Sequence, residues 1–573
     1  MDRARLTSLL ALVPLVAACT SMPARLSPGG PLPTAVSEPQ RTLVVAGGRE
    51  PESLASKPLR ELGGAGVPRT ALRAFNAGLA LNDARNLSHP YLAEALPELD
   101  TNDWQVASDG TMETTYHLRL ALAWHDGVAL TADDFVFAWQ VYATPDLGVA
   151  ASVPLNYIRE VAAPDDRTVI ISWLRPYVDA GDVQAADLPP LPRHLLDQPF
   201  AQQDPNAFAA LPFWTTDYVG AGPYRLTRWE PGAFIESEGF AAHALGSPKI
   251  DHLRLIFIND SNAAVAALLA GTADLATNDS LDVDQAVELD RQWAVSHGGI
   301  VLRSLVGVRY AALQLRPAYA SPAALLDVSV RRALAHAVDR QAMADTFTDG
   351  QGTAADTMVL PMVDYFAAVQ AAIATYPLDV RQTEQLLREA GWTKGPDGIF
   401  ASQSGERFAL EVAVAEGGRN NNEVAVMADG LRHAGFDTSI RVVPRAQITD
   451  RQMRATLPGI LDASYLRAFL PPTEQLRASQ IPGPENRWQG SNQPGWSHPD
   501  FERLVQAYET SLDRSQRTQD AVEMLELISE EVPVIPLYYS VSFMAHVASL
   551  SGPMTNVSDD LAHWNLPDWS WTQ

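Results

Sequence analysis

Apolar residues recur at helical spacing in several stretches that also carry start signals. In T-A-D-D-F-V-F-A-W-Q-V-Y, Phe135, Ala138, Trp139 and Tyr142 fall at i, i+3, i+4 and i+7, and Thr131 with Asp134 has capping-box spacing. A helix with one buried face is expected there. A second stripe, Phe501, Leu504, Val505, Tyr508 and Leu512, follows Pro499 and Asp500, and a third joins Val330, Leu334, Ala337 and Val338. Gly271 and Gly391 stand where two further helices end in the left-handed region. Between the helices lie short segments rich in β-branched or aromatic residues: Thr42 to Ala46, Arg167 to Leu174, Leu253 to Ile258, Leu410 to Val414 and Val534 to Tyr539. Their interleaving predicts an α/β architecture. The first of them runs into Gly47-Gly48, which permits a tight turn.

One apolar run fits neither kind of element. Leu9 to Ala18, preceded by Arg3 and Arg5, is too short for a permanent membrane span and suits the core of a signal peptide. It ends in Val16-Ala17-Ala18-Cys19, similar to the lipobox of bacterial lipoproteins, in which small residues precede a cysteine that becomes lipid-modified. Cys19 is the only cysteine in the chain, so lipidation of Cys19 is expected and an intrachain disulfide is excluded. Residues 1–18 are read as the signal peptide and 19–41 as a Pro- and Gly-rich tether. Extended at roughly 3 Å per residue, the tether reaches up to about 60 Å from its anchor. The expected location is outside the cytoplasm, on a membrane-anchored lipoprotein facing the periplasm or the cell exterior.

At 573 residues the chain is too long for one core, and several lobes are expected. With 46% apolar and 19% charged residues it is neither disordered nor a polytopic membrane protein. The net charge of -26 repels phosphate backbones and anionic headgroups, which removes nucleic acid as a partner. No H-E-x-x-H, G-x-S-x-G or phosphate-loop pattern is present, so no enzyme is expected. The 12 histidines are dispersed without local metal-ligand spacing, and no metal or cofactor is expected.

Several blocks together carry a family likeness. They are Y-L-A-E-A-L-P-E-L-D and Y-H-L-R-L-A-L-A-W-H-D-G-V-A-L-T-A-D-D-F-V-F-A-W between Tyr91 and Trp139, G-A-G-P-Y-R-L-T-R-W-E-P-G-A from Gly220, and L-L-A-G-T-A-D-L from Leu268. Further along come V-S-V-R-R-A-L-A-H-A-V-D-R-Q-A-M from Val328, L-L-R-E-A-G-W from Leu386, W-S-H-P-D-F-E-R-L-V from Trp496 and V-P-V-I-P-L-Y-Y from Val532. In this order the blocks resemble the family 5 extracellular solute-binding proteins, the oligopeptide, dipeptide and nickel receptors of ABC importers. Most of them read as scaffold: His125, Asp126 and Gly127 suit a turn before the capped helix, and Gly220, Gly222 and Pro223 a rigid strand entry.

The resemblance implies a periplasmic-binding-protein-like type II (cluster C) fold with three lobes and a hinged ligand cleft. Lobe I would comprise 42–82, 218–308 and 532–573, lobe II 83–217 and lobe III 309–531, with ligand enclosed between lobes I and III. It implies a monomer that captures peptides or similar small solutes and delivers them to a permease and ATPase complex. A nickel, haem or other non-peptide receptor of the same fold, or a sensor working without a transporter, are the alternatives. Arg49 and Glu50 resemble the segment near the first strand that faces the cleft. I-L-D-A-S-Y-L-R-A-F-L from Ile460, which contains Asp462, Ser464, Tyr465 and Arg467, resembles the segment whose Asp pairs with a peptide's α-ammonium. The matching position is Ser464, and a small shift brings Asp462 into play; a serine accepts a hydrogen bond but neutralises no charge. Trp214, Tyr310 and Tyr465 are the candidate cleft aromatics, and Gln314 stands about where many relatives carry Asn.

Overall fold

Two long antiparallel strands, Gly299–Leu313 and Val534–Val547, form the backbone of the molecule in a computed structural model. It describes residues 42–59, 69–150, 152–202, 204–555 and 563–572; the signal peptide, Cys19 and the tether lie outside the described residues. These strands sit in the middle of a ten-stranded mixed sheet. From one edge its order is Asp437–Val443, Ala409–Ala415, Ile460–Leu466, Gly299–Leu313, Val534–Val547, Leu275–Ala276, Thr42–Gly47, His252–Phe257, Phe234–Gly239 and Tyr224–Glu230. Thr42–Gly47 runs parallel to both its neighbours, as Ala409–Ala415 does to both of its own. The expected segments are all strands, and the last extends well past Tyr539.

The sheet serves two large apolar cores. The first gathers Leu43, Val45, Tyr224 and Leu253 with Phe135, Val169 and Trp173, and so includes a separate four-stranded sheet ordered Trp104–Val106, Met112–His117, Thr168–Trp173, Ile158–Asp165. The second gathers Val308, Leu334, Val412, Met427, Phe501 and Tyr538. One end of each long strand belongs to each side. Met544, with Leu302 and Val547 packed against the same cluster, belongs to the first core, whereas Val534, Ile535 and Leu537 are part of the second.

Local signals explain the helices. Ala132–Tyr142 begins where the Asp134 carboxylate accepts the Thr131 N–H at 2.9 Å, and Phe135, Ala138 and Tyr142 are fully buried on one face. Burying a side chain of the size of Phe135 contributes about 1.5–3 kcal/mol. Pro499–Thr510 buries Phe501, Leu504 and Val505, but it ends before Leu512, which leaves the stripe and packs on the first core instead. Val328–Ala337 likewise stops before Val338, whose extended backbone caps it. Gly271 and Gly391 each follow a helix end with φ of 67° and 89°, a region only glycine enters cheaply.

Other glycines are needed for close approach. A Cβ on Gly222 would stand 2.5 Å from the backbone of Phe75 and Asn76, and one on Gly220 2.0 Å from the Phe75 carbonyl oxygen. The G-A-G-P-Y block thus lets strand Tyr224–Glu230 enter the sheet hard against the end of helix Arg69–Phe75. Gly48 is of the same kind: its φ is not positive, and a Cβ there would lie 2.0 Å from the Asp279 carbonyl oxygen. Among the described residues no helix is long and apolar enough to cross a membrane.

Candidate ligand-binding site

Where the two long strands pass from one core to the other, their pairing slips twice, between Leu305 and Gly307 and between Arg309 and Tyr310. A β-bulge adds an unpaired residue and a local bend, so this is the compliant stretch of an otherwise regular ladder. Strand Ile460–Leu466 pairs along the second-core side, with Tyr310 opposite Ser464 and Arg309 opposite Tyr465, and has a bulge of its own. On the first-core side Asn278, Leu302, Ser304, Ser542, Phe543 and Met544 line a narrow hollow with room for about one water.

A buried ion pair sits at the crossover. The Arg309 side chain donates from Nε and Nη2 to the two carboxylate oxygens of Glu423 at 3.2 and 2.8 Å, and from Nη2 to Asn420 Oδ1 at 3.0 Å. Glu423 is fully buried, and its Oε2 also accepts the Tyr538 hydroxyl at 2.8 Å. Arg419 lies over the other side of that phenol, its Nη2 3.4 Å from the oxygen, and Phe347 stacks on the ring at 6.1 Å. Burial works against the Arg309 charge, yet the neighbouring Glu423, Tyr538 and Asp462 more than offset it and raise its pKa. Helix Gly418–Ala434 is thereby tied to strand Val534–Val547 and strand Gly299–Leu313 at one point.

The expected site residues divide into two groups. Tyr310, Asp462, Ser464 and Tyr465 come together on paired strands. Tyr310 is buried, with its phenol pushed up to about 12 by burial while a hydrogen bond to Ser464 pulls the other way. Asp462 is buried close enough to Arg309 for its charge to act there. Tyr465 is 45% exposed, donates to the Val306 carbonyl at 2.8 Å and lies across Gly307. Arg467 follows this strand and is exposed.

Glu50, Trp214 and Gln314 are engaged elsewhere in the fold. Glu50 is occupied within the first core: its carboxylate accepts the Trp229 indole N–H at 2.7 Å and the Gly232 N–H at 2.9 Å, which pins the hairpin turn, while Arg49 beside it is exposed. Trp214 is 5% exposed, edge-on to Phe208 and Phe213, and donates its indole N–H to the Phe208 carbonyl at 2.8 Å. Gln314 is a brace, its amide donating to the Ala455 and Leu457 carbonyls at 3.0 and 2.9 Å and its oxygen accepting from Arg316. Arg309, Glu423 and Tyr538 were absent from the expected set. A charge inside the apolar run V-G-V-R-Y was the one available signal for Arg309; Glu423 had none.

The chain is similar to known proteins over most of its length. A family model, bacterial extracellular solute-binding proteins, family 5 Middle, matches residues 94–480. Oligopeptide-binding protein AppA of Bacillus subtilis is 23% identical over 522 residues, covering 89% of this chain and 90% of that protein. Protein XP55 of Streptomyces lividans is 30% identical over 374 residues, 63% of this chain and 61% of the relative. Among solved structures, NikZ from Campylobacter jejuni in complex with Ni(L-His) superposes with a TM-score of 0.71 at 21% identity, covering 93% of this chain and 100% of that one. AppA from Bacillus subtilis in complex with a nonapeptide gives 0.68 at 21% identity over 94% and 100%. These likenesses establish the α/β periplasmic-binding-protein fold. With a single family model spanning more than half of its length, the chain belongs to the bacterial extracellular solute-binding proteins of family 5.

Proposed function

We propose that this protein is the solute receptor of an ABC importer, held at the membrane by a lipid on Cys19, and that it captures peptides or similar small solutes between its two cores. The observation that carries the reading is the pair of strands Gly299–Leu313 and Val534–Val547, which run through both cores and bulge where they cross. Such a pair bends without breaking either core, and closing the cores on a solute excludes water from it. In this reading the first core holds lobe I (42–82, 218–308, 532–573) and lobe II (83–217), the second is lobe III (309–531), and the receptor hands its solute to a permease and ATPase complex. The binding chemistry is capture, with no bond made or broken. The hollow beside the crossover holds about one water, so solute entry requires the cores to part.

Solute chemistry follows from Ser464. Its hydroxyl is engaged with the Tyr310 phenol and carries no charge with which to meet an ammonium group. A free-amine nonapeptide and its N-acetylated counterpart are therefore expected to bind within about tenfold of each other, a difference below about 1.4 kcal/mol. Titration calorimetry on the matched pair reads this directly, with Ser464→Asp as the variant that restores amine preference. A hundredfold loss on acetylation would show that a carboxylate does meet the amine. Native mass spectrometry of protein taken from its own cells is expected to reveal a co-purifying solute.

Anchoring is tested separately. Cys19→Ala is expected to move the protein from the membrane fraction to the soluble one, because the tie in this reading is the acyl-modified cysteine after the small-residue run. A variant that stays with the membrane like its parent would rule the anchor out.

A further inference from the structure

The two cores meet a second time, away from the long strands. The segment after strand Thr168–Trp173 of the first core faces helix Pro499–Thr510 of the second. Arg175 Nη2 lies 3.6 Å from Glu509 Oε2, with the two side chains 30% and 21% exposed. Each partner is positioned by its own core. The Arg175 guanidinium lies over the Tyr157 ring, 4.7 Å from its centroid, and the other Glu509 oxygen is bonded by Arg477, which also reaches Glu474 at 3.2 Å. Two residues past the helix end, Leu512 packs on the first core, whereas Tyr508 one turn earlier packs on the second. Arg517 covers Tyr508 at 4.5 Å, and its charge acts on Asp179 of the first-core segment.

We infer that Arg175 and Glu509, with Leu512 seated beside them, form a clasp that holds the two cores closed before any solute arrives. The inference rests on the hinged-receptor reading. Because the contact lies off the long strands, bending those strands at their bulges must pull it apart. Because both charges are already oriented by partners in their own cores, joining them orders little that is not ordered beforehand, which is the main entropic cost of an ion pair near a surface. Leu512 adds apolar area that is covered only while the cores are together. The clasp sets how much of the solute-free receptor is open, and through that fraction it scales apparent affinity for every solute alike.

Spin labels at Glu160→Cys on the first core and Glu389→Cys on the second, in the full chain with Cys19→Ser, read the separation of the cores by pulsed dipolar spectroscopy. Arg175→Met keeps the stem over Tyr157 and leaves the Glu509 to Arg477 pair intact. It is expected to raise the open fraction of the solute-free protein about two- to fivefold, the range for a partly exposed ion pair, and Glu509→Gln to do the same. Arg514→Met, which breaks only an exposed pair with Asp364 inside the second core, is expected to change nothing. If wild type samples two separations and Arg175→Met populates them identically, the clasp is overturned while the hinge stands. One unchanging separation in every variant overturns the hinge as well.

Discussion

Glu423→Ala is expected to lower the free energy of unfolding by about 3 kcal/mol, measured by denaturant titration, the lower end of what breaking a buried ion pair costs. The substitution removes the carboxylate that takes both donors of Arg309 and the hydroxyl of Tyr538, and it strands a guanidinium whose side chain is only 12% exposed. Most of the loss is the penalty of that stranded charge, not the net worth of the pair. Arg309→Met combined with Glu423→Leu is therefore expected to recover most of it, since apolar residues of similar volume often replace a buried pair at little cost. A double variant as unstable as Glu423→Ala alone would show that the hydrogen bonds to Asn420 and Tyr538 dominate instead. Solute affinity is expected to fall in the double variant even as stability returns, because the pair ties helix Gly418–Ala434 to the strands at their crossover.

What could be read from the sequence depended on how far away each residue's partners lie. Helix Ala132–Tyr142 was legible because its cap, its period and its buried face are all set within a dozen positions. Strand Val534–Val547 was legible only to Tyr539. Beyond it Ser540, Ser542 and His546 break the apolar pattern, and their strand state comes from pairing with Ile300–Gly307, far off in the chain. The family blocks carried the fold, but they are blocks of scaffold. His125, Gly220 and Gly222 belong to one contact in which the His125 ring accepts the Gly220 N–H and bonds the Gly222 carbonyl. The site was less legible for the same reason. Glu50 and Trp214 look available in sequence, yet Trp229 and Phe208 satisfy them in the fold. Glu423 lies in the polar run G-G-R-N-N-N-E, where periodicity gives no hint that the helix turns it inward. Tyr310 and Ser464 were each named for other reasons, and only strand pairing shows them to be partners.

That His125 contact also sets a pH dependence. Burial lowers the imidazole pKa to about 4, with the bond to Gly222 opposing the shift, and the ring is held neutral between the Gly220 N–H at 3.1 Å and the Gly222 carbonyl at 3.0 Å. Protonation would turn the accepting Nδ1 into a donor facing another donor. In the unfolded chain the ring titrates near 6.5, so between that value and about 4 the unfolded state binds a proton that the folded state does not. The stabilising contribution is complete above pH 6.5, is lost as pH falls toward 4, and changes no further below; at about 1.4 kcal/mol per pH unit the total is about 3 kcal/mol. His243 and His563, also lowered to about 4 by burial, act in the same direction. Asp187 and Asp182, raised by burial to about 7 and about 6, act oppositely, because the folded state there binds the extra proton. With several groups titrating in the same range, the share of His125 is read by difference. Wild type is expected to lose about 3 kcal/mol relative to His125→Gln between pH 6.5 and 4. Paired urea titrations across that range measure this, and parallel profiles would mean that His125 takes up its proton in the fold as it does in the unfolded chain.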